Sequence, residues 1–145
     1  MNPLTFATQE WLDHFRGRLV DSAEFGAVTS HWEDDAKYVI EAEPEIGFPE
    51  SIAYYMKWQG GKLVQAESRP AVTTGEAKFN VSAKYTAWEE VYRTRMEPGV
   101  ALLTGKFTFE GPFLAAATNV AGEAMMLRMA FDVPTRFLAV AIAAE

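Results

Sequence analysis

Between residues 78 and 85 apolar and polar positions alternate: Phe79, Val81, Ala83 and Tyr85 fall on one side, and Lys78, Asn80, Ser82 and Lys84 on the other. A period of two is that of a strand with one buried face. The same pattern predicts a strand through "AKYVIEAEP", where Tyr38, Ile40 and Ala42 alternate with more polar neighbours. Another runs through Ile52, Tyr54, Met56 and Trp58. Gly60-Gly61 supplies the positive φ angles of a tight hairpin, and "KLVQAE" returns from it. "RPAVTTGE" reads as a loop, and "KFTFE" places Phe107 and Phe109 on one side of a short edge strand.

Elsewhere the period lengthens. Trp11, Phe15 and Leu19 recur at helical spacing after Thr8, a good N-cap with Glu10 in the following turn. Asp21 and Glu24 have capping-box spacing before a second short helix, expected to end near His31. Thr86 to Glu89 forms another capping box, with Trp88, Val91 and Tyr92 on one helical face. Pro98 suits the first turn of "PGVALLT", which Gly105 can terminate.

From Pro112 to about Phe131 one long helix is expected. One stripe is Phe113, Ala117, Val120, Ala124, Leu127 and Phe131; a second is Leu114, Ala121, Met125 and Met129. Only Glu123 and Arg128 carry charge there. A helix apolar on nearly all sides is enclosed, or lies between the core and something else apolar. The elements predict an α+β fold: a single layer of largely antiparallel sheet covered by helices on one side. The length, 145 residues without a dividing linker, fits a single domain spanning 1–145.

Composition narrows the chemistry. A formal charge of −7 argues against a nucleic-acid duplex or a strongly anionic membrane as the main partner. Cysteine is absent, which removes disulfides, thiolate nucleophiles and thiolate zinc sites. "MNPLTFATQEWLDHF" shows no basic segment followed by an apolar core, and no uninterrupted apolar run reaches membrane-span length, so a cytoplasmic location without stable membrane insertion is expected. No phosphate loop, dinucleotide glycine pattern, G-x-S-x-G elbow or H-E-x-x-H occurs. His14 and His31 both fall in the N-terminal helical part, His14 reads as a packing or surface residue beside Trp11 and Phe15, and Glu33, Asp34 and Asp35 lack calcium-loop spacing. Binding is favoured over catalysis, with no metal.

Three of the six methionines, Met125, Met126 and Met129, crowd into five residues. Flexible thioethers either fill irregular core gaps or line a surface that accepts several apolar shapes. Met125 and Met129, a turn apart, form the pair expected toward a cavity; Met126, offset by about 100°, is expected to pack elsewhere.

The stretch "AKFNVSAKYTAWEEVYRTRMEPGVALLTGKFTFEGPF" resembles the sterol carrier protein type 2 family, in a stand-alone bacterial-like form. The resemblance rests on an ordered series. A strand ends in Tyr85-Thr86 and runs into a helix with an early Trp88; Glu97-Pro98 opens a short apolar helix. Thr104-Gly105-Lys106, a strand with Phe107 and Phe109, and Gly111 then precede the last apolar helix. Many members carry glycine where this chain has Thr94-Arg95-Met96, and Asp or Asn where it has Pro112.

The resemblance implies a five-stranded sheet under helices with an apolar tunnel between them, and binding or transfer of a fatty acid, fatty acyl-CoA or sterol-like molecule without catalysis or cofactor. The residues expected to line that tunnel are Trp88, Val91, Tyr92, Leu103, Phe107, Phe113, Ala117, Val120, Ala121, Met125 and Met129, with Tyr54 or Tyr92 anchoring a polar head. Two alternatives remain open. One is an interaction module whose apolar surface is covered by a partner or a second copy, with the tail "RFLAVAIAAE" as part of the interface. The other is a small pocket enzyme of isomerase type.

Overall fold

The computed structural model describes residues 2–138. Near the N-terminus β1 (Leu4–Thr5) leads into α1 (Gln9–Asp21). Thr8 caps α1 as expected, its side chain accepting from the Trp11 N–H at 3.2 Å. In α2 (Ala23–Val28) the cap is Ser22, which accepts from Phe25 N–H; it does this instead of Asp21, and the helix ends three residues before His31. The sheet begins with β2 (Asp35–Glu41), β3 (Ile52–Gln59) and β4 (Lys62–Pro70). β4 therefore continues into the segment read as a loop. Gly60 and Gly61 have φ of +57° and +78° in the β3–β4 turn. A Cβ on Gly61 would stand 2.6 Å from the Thr29 carbonyl oxygen, so this hairpin needs glycine for space as well as for φ.

β5 (Phe79–Lys84) runs directly into α3 (Tyr85–Thr94), followed by α4 (Pro98–Leu103) and β6 (Thr108–Glu110). The expected Thr86–Glu89 capping box does not form. Glu43, buried in the loop after β2, reaches across instead: its carboxylate accepts from Thr86 N–H at 2.7 Å and from the Thr86 hydroxyl at 2.9 Å. Glu89 pairs with Arg93 a turn further on. At the other end of α3 Arg95 adopts φ +50°, the left-handed conformation that glycine supplies more readily.

The long helix expected from Pro112 is two helices, α5 (Phe113–Ala117) and α6 (Val120–Phe131). Thr118 and Asn119 separate them. The Thr118 hydroxyl bonds the Ala115 carbonyl at 2.7 Å and Asn119 N–H bonds that of Ala116, so the backbone turns before α6 starts. β7 (Thr135–Arg136) then lies parallel to β1, bringing the Phe6 and Phe137 rings to 5.2 Å.

The main sheet has the order β4-β3-β2-β5-β6. It is mixed: β2 and β5 are parallel, and the other pairs are antiparallel. β6 is an edge strand, as expected. At the opposite edge α1 covers β4: Gln9 bonds Ala66 O and Ser68 N–H, and Arg16 donates to Leu63 O at 2.8 Å. These side chains occupy edge groups that would otherwise invite another strand. Trp11, Leu12, Phe15 and Leu19 of α1 are buried against the sheet, each contributing about 1.5–3 kcal/mol by leaving water.

Candidate functional site

Strand register sets the floor of the site. Tyr54 pairs with Tyr38, Tyr38 with Val81, and Val81 with Phe109, so these four side chains form one row on the helix-facing side of four strands. The next rows hold Met56, Ala36 and Phe79 on one side and Ile52, Ile40 and Ala83 on the other. The opposite sheet face carries Lys37, Tyr55 and Lys57, with the Arg69 guanidinium 4.6 Å above the Tyr55 ring. Alternation along each strand thus separates an apolar face from a polar one.

Over that floor the helices do not close completely. A cavity of about 320 Å³ lies between sheet and helices, lined by the Tyr38 row, Met56 and Phe79, by Trp88, Val91 and Tyr92 of α3, and by α4, α5 and α6. Leu102, Phe113 and Val120 line it while remaining 43%, 77% and 59% exposed, so the mouth opens among α4, α5 and the start of α6. Trp88 is fixed in the wall by its indole N–H, which donates to Val39 O at 3.0 Å, and by Phe107, whose ring centre is 4.4 Å away.

Of the residues expected to line a tunnel, Trp88, Val91, Tyr92, Phe107, Phe113, Ala117 and Val120 border this cavity. Leu103, Ala121, Met125 and Met129 do not. Leu103 is 91% exposed, and its neighbour Leu102 takes the lining position. Ala121 faces solvent, while Met125 and Met129 pack against the main core. Met126, expected to pack elsewhere, is the methionine of the three that lines the cavity, together with Leu127 and Ala130. The first apolar stripe keeps its phase across Thr118-Asn119, with Phe113, Ala117, Val120, Leu127 and Phe131 on the cavity. Met126 falls on that face between Glu123 and Ala130, whereas Met125 and Met129 belong to the second stripe, which turns to the core.

α6 docks through Gly122. A Cβ there would lie 2.6 Å from Trp32 Cζ2 and 2.8 Å from Thr29 Cγ2, so only glycine allows this approach without displacement. The next residue, Glu123, is turned toward the cavity, where the Tyr38 hydroxyl donates to its carboxylate at 3.1 and 3.2 Å. Burial pushes the Glu123 carboxyl up from 4.5 to about 7, partly offset by the Tyr38 hydrogen bond. Burial and the adjoining carboxylate raise the Tyr38 hydroxyl well above its ordinary value.

The two tyrosines expected to anchor a head are already committed to backbone: Tyr54 O–H donates to Thr8 O at 2.9 Å, and Tyr92 O–H to Val133 O. Sequence reasoning missed the Tyr38–Glu123 pair. Its one signal was Glu123 standing as a lone acid on an otherwise apolar stretch.

Glu123, Asn119 and Phe79 also border a second, more polar recess of about 130 Å³, which His31, Trp32, Asp34 and Asp35 help to line. The buried Trp32 Nε1–H has no acceptor among the described residues. His31 Nε2 bonds Asn119 Oδ1 at 3.1 Å. Among the described residues no group of acidic, histidine or cysteine side chains is arranged to hold a metal ion, and no helix is long and apolar enough to cross a membrane. Of the tail, Phe137 is buried in the cavity wall, whereas residues 139–145 lie outside the described residues.

A helix-covered mixed sheet enclosing an apolar cavity defines a small α+β class, and solved structures place the chain within it. A crystal structure of sterol carrier protein 2 superimposes with a TM-score of 0.78 at 25% identity, covering 88% of this chain and 98% of that one. A conserved hypothetical protein from Thermus thermophilus, described as a candidate sterol carrier protein, superimposes with a TM-score of 0.79 at 23% identity, covering 94% of each chain. The apo form of sterol carrier protein 2 from Yarrowia lipolytica is more distant, at 13% identity and a TM-score of 0.54, covering 88% of this chain and 94% of that one. The chain thus has the fold of these sterol-carrier-protein-2-like structures. No family model and no curated protein matches the sequence.

Proposed function

We propose that the protein binds a lipid-like molecule in the cavity between sheet and helices and carries it unchanged. The observation that supports this most directly is the cavity itself: about 320 Å³ walled by aromatic and aliphatic side chains from every layer of the fold. Natural cores are packed to crystal density, so a void of this size in so apolar a setting is a ligand space, not a packing remnant. The likeness to a crystal structure of sterol carrier protein 2 supports the same reading. Exposed apolar residues at the mouth give the ligand a path from an apolar phase into the interior.

Native mass spectrometry of protein purified without detergent tests the proposal. The expected result is a bound species heavier than the protein by the mass of a lipid. Delipidated protein should then take up a neutral fluorescent apolar probe and release it to alkyl-chain competitors. A protein that copurifies with nothing, and takes up no such probe at micromolar concentration, does not have this function.

A further inference from the structure

Resting on that reading, we propose that Glu123 determines specificity: the cavity takes an apolar molecule headed by a hydrogen-bond donor, a hydroxyl or an amine, and discriminates against one headed by a carboxylate. The polar groups that reach the cavity decide this. Tyr54, Tyr92, Trp11 and Trp88 line it, but their donors are already bonded within the protein, to Thr8 O, Val133 O, Thr135 Oγ1 and Val39 O; Asn119 also borders it, its Oδ1 bonded to His31 Nε2 at 3.1 Å. Glu123 is different. A carboxylate has about four acceptor positions, and Tyr38 fills only part of that capacity.

The surrounding charge has one sign. No lysine or arginine lines either the cavity or the adjoining recess among the described residues, whereas Asp34 and Asp35 stand in the recess wall with Glu123. Lys78 reaches Asp34 at 3.1 Å from the exposed side, and Asp35 accepts from Tyr55 O–H and Lys78 N–H. A carboxylate-headed ligand would meet Glu123 with no cation to balance the pair, and like charges in an apolar space disfavour each other strongly. A hydroxyl donates to Glu123 and can accept from Tyr38; an ammonium neutralises the buried carboxylate. The raised proton affinity of Glu123 is consistent with an acid lacking a cationic partner.

The test uses the delipidated full chain and three ligands with the same tail, dodecanol, dodecylamine and dodecanoate, each displacing a neutral fluorescent probe at about pH 8. Dodecanol and dodecylamine should compete at least about tenfold better than dodecanoate. Glu123→Gln should reverse part of that order, weakening dodecylamine and strengthening dodecanoate, each by about tenfold, because the amide donates to a carboxylate and carries no charge.

Equal competition by all three ligands, or an unchanged order in Glu123→Gln, overturns the headgroup assignment and leaves the cavity as a binder of tails. Failure of all three, and of the probe, removes the binding function as well.

Discussion

The Tyr38 hydroxyl, at the middle of the central strand, donates to the Glu123 carboxylate on the covering helix at 3.1 and 3.2 Å, linking floor and roof of an otherwise apolar cavity. A buried acid with a single neutral donor is poorly compensated for the loss of water. That poor compensation in so apolar a neighbourhood is the observation on which the headgroup proposal rests.

The pair sets a pH dependence. The folded Glu123 carboxyl lies at about 7, against 4.5 without burial. Between those values the folded state holds a proton that the unfolded state has released, so stability falls as pH rises. The stabilisation is complete below about pH 4.5 and lost above about pH 7. At about 1.4 kcal/mol per pH unit the loss is at most roughly 3.5 kcal/mol. Urea denaturation at about pH 5 and pH 8 measures it, and Glu123→Gln should abolish it and be the more stable protein at pH 8. Subtracting the variant's curve removes the contributions of other groups. An identical pH slope in both proteins would show that Glu123 does not titrate in this range.

The methionines give a second prediction. Met125→Leu with Met129→Leu changes core positions of similar volume and should cost less than about 1.5 kcal/mol, without altering which ligands bind. Met126→Phe puts a larger side chain into the cavity wall and should shorten the longest tail accepted, read in the same displacement assay with a series of alkanols. Should the double variant change tail selection and Met126→Phe not, the rotational setting of α6 is wrong.

These two outcomes bear on what the sequence reveals. Alternation in "AKFNVSAKYT" exposes the strand and its buried face because side-chain direction is a local property of extended backbone. The row Tyr54, Tyr38, Val81 and Phe109 is not local: it depends on register among four strands whose members lie up to 71 positions apart, counting from 38 to 109. From Phe113 to Phe131 periodicity reveals two apolar stripes but not which of them faces the cavity: Phe113, Ala117, Val120, Leu127 and Phe131 line it, whereas Met125 and Met129 pack against the core. Glu123 stands out as the lone acid of its stretch, but its partner comes from β2, 85 positions away. Local patterns carry the elements; the site belongs to their docking.

Capping at a distance gives the third prediction. Glu43 is buried and holds both the N–H and the hydroxyl of Thr86 at the start of α3. Glu43→Ala should destabilise the protein by about 1–2 kcal/mol, the range for losing a helix cap. Thr86→Ala keeps the N–H bond and should cost less. Equilibrium urea unfolding of the two variants separates the contributions; equal losses would assign the effect to the hydroxyl alone.

The strongest constraint on the site is steric. In Gly122→Ala the new methyl would lie 2.6 Å from Trp32 Cζ2 and 2.8 Å from Thr29 Cγ2. Trp32 has little freedom to retreat, being 5% exposed, with its ring centre 4.8 Å from that of Trp58 and 5.9 Å from that of Phe25. Alanine favours helix over glycine by about 1 kcal/mol, whereas overpacking a tight contact costs about 1–3 kcal/mol. The clash should win, giving a net loss of up to roughly 2 kcal/mol in urea unfolding. It should also shift tryptophan fluorescence, since α6 must lift from Trp32. Lifting the helix moves Glu123 away from Tyr38, so the same variant should flatten the difference between dodecylamine and dodecanoate. A Gly122→Ala protein more stable than the parent, with unaltered fluorescence, would mean that α6 does not approach Trp32 this closely.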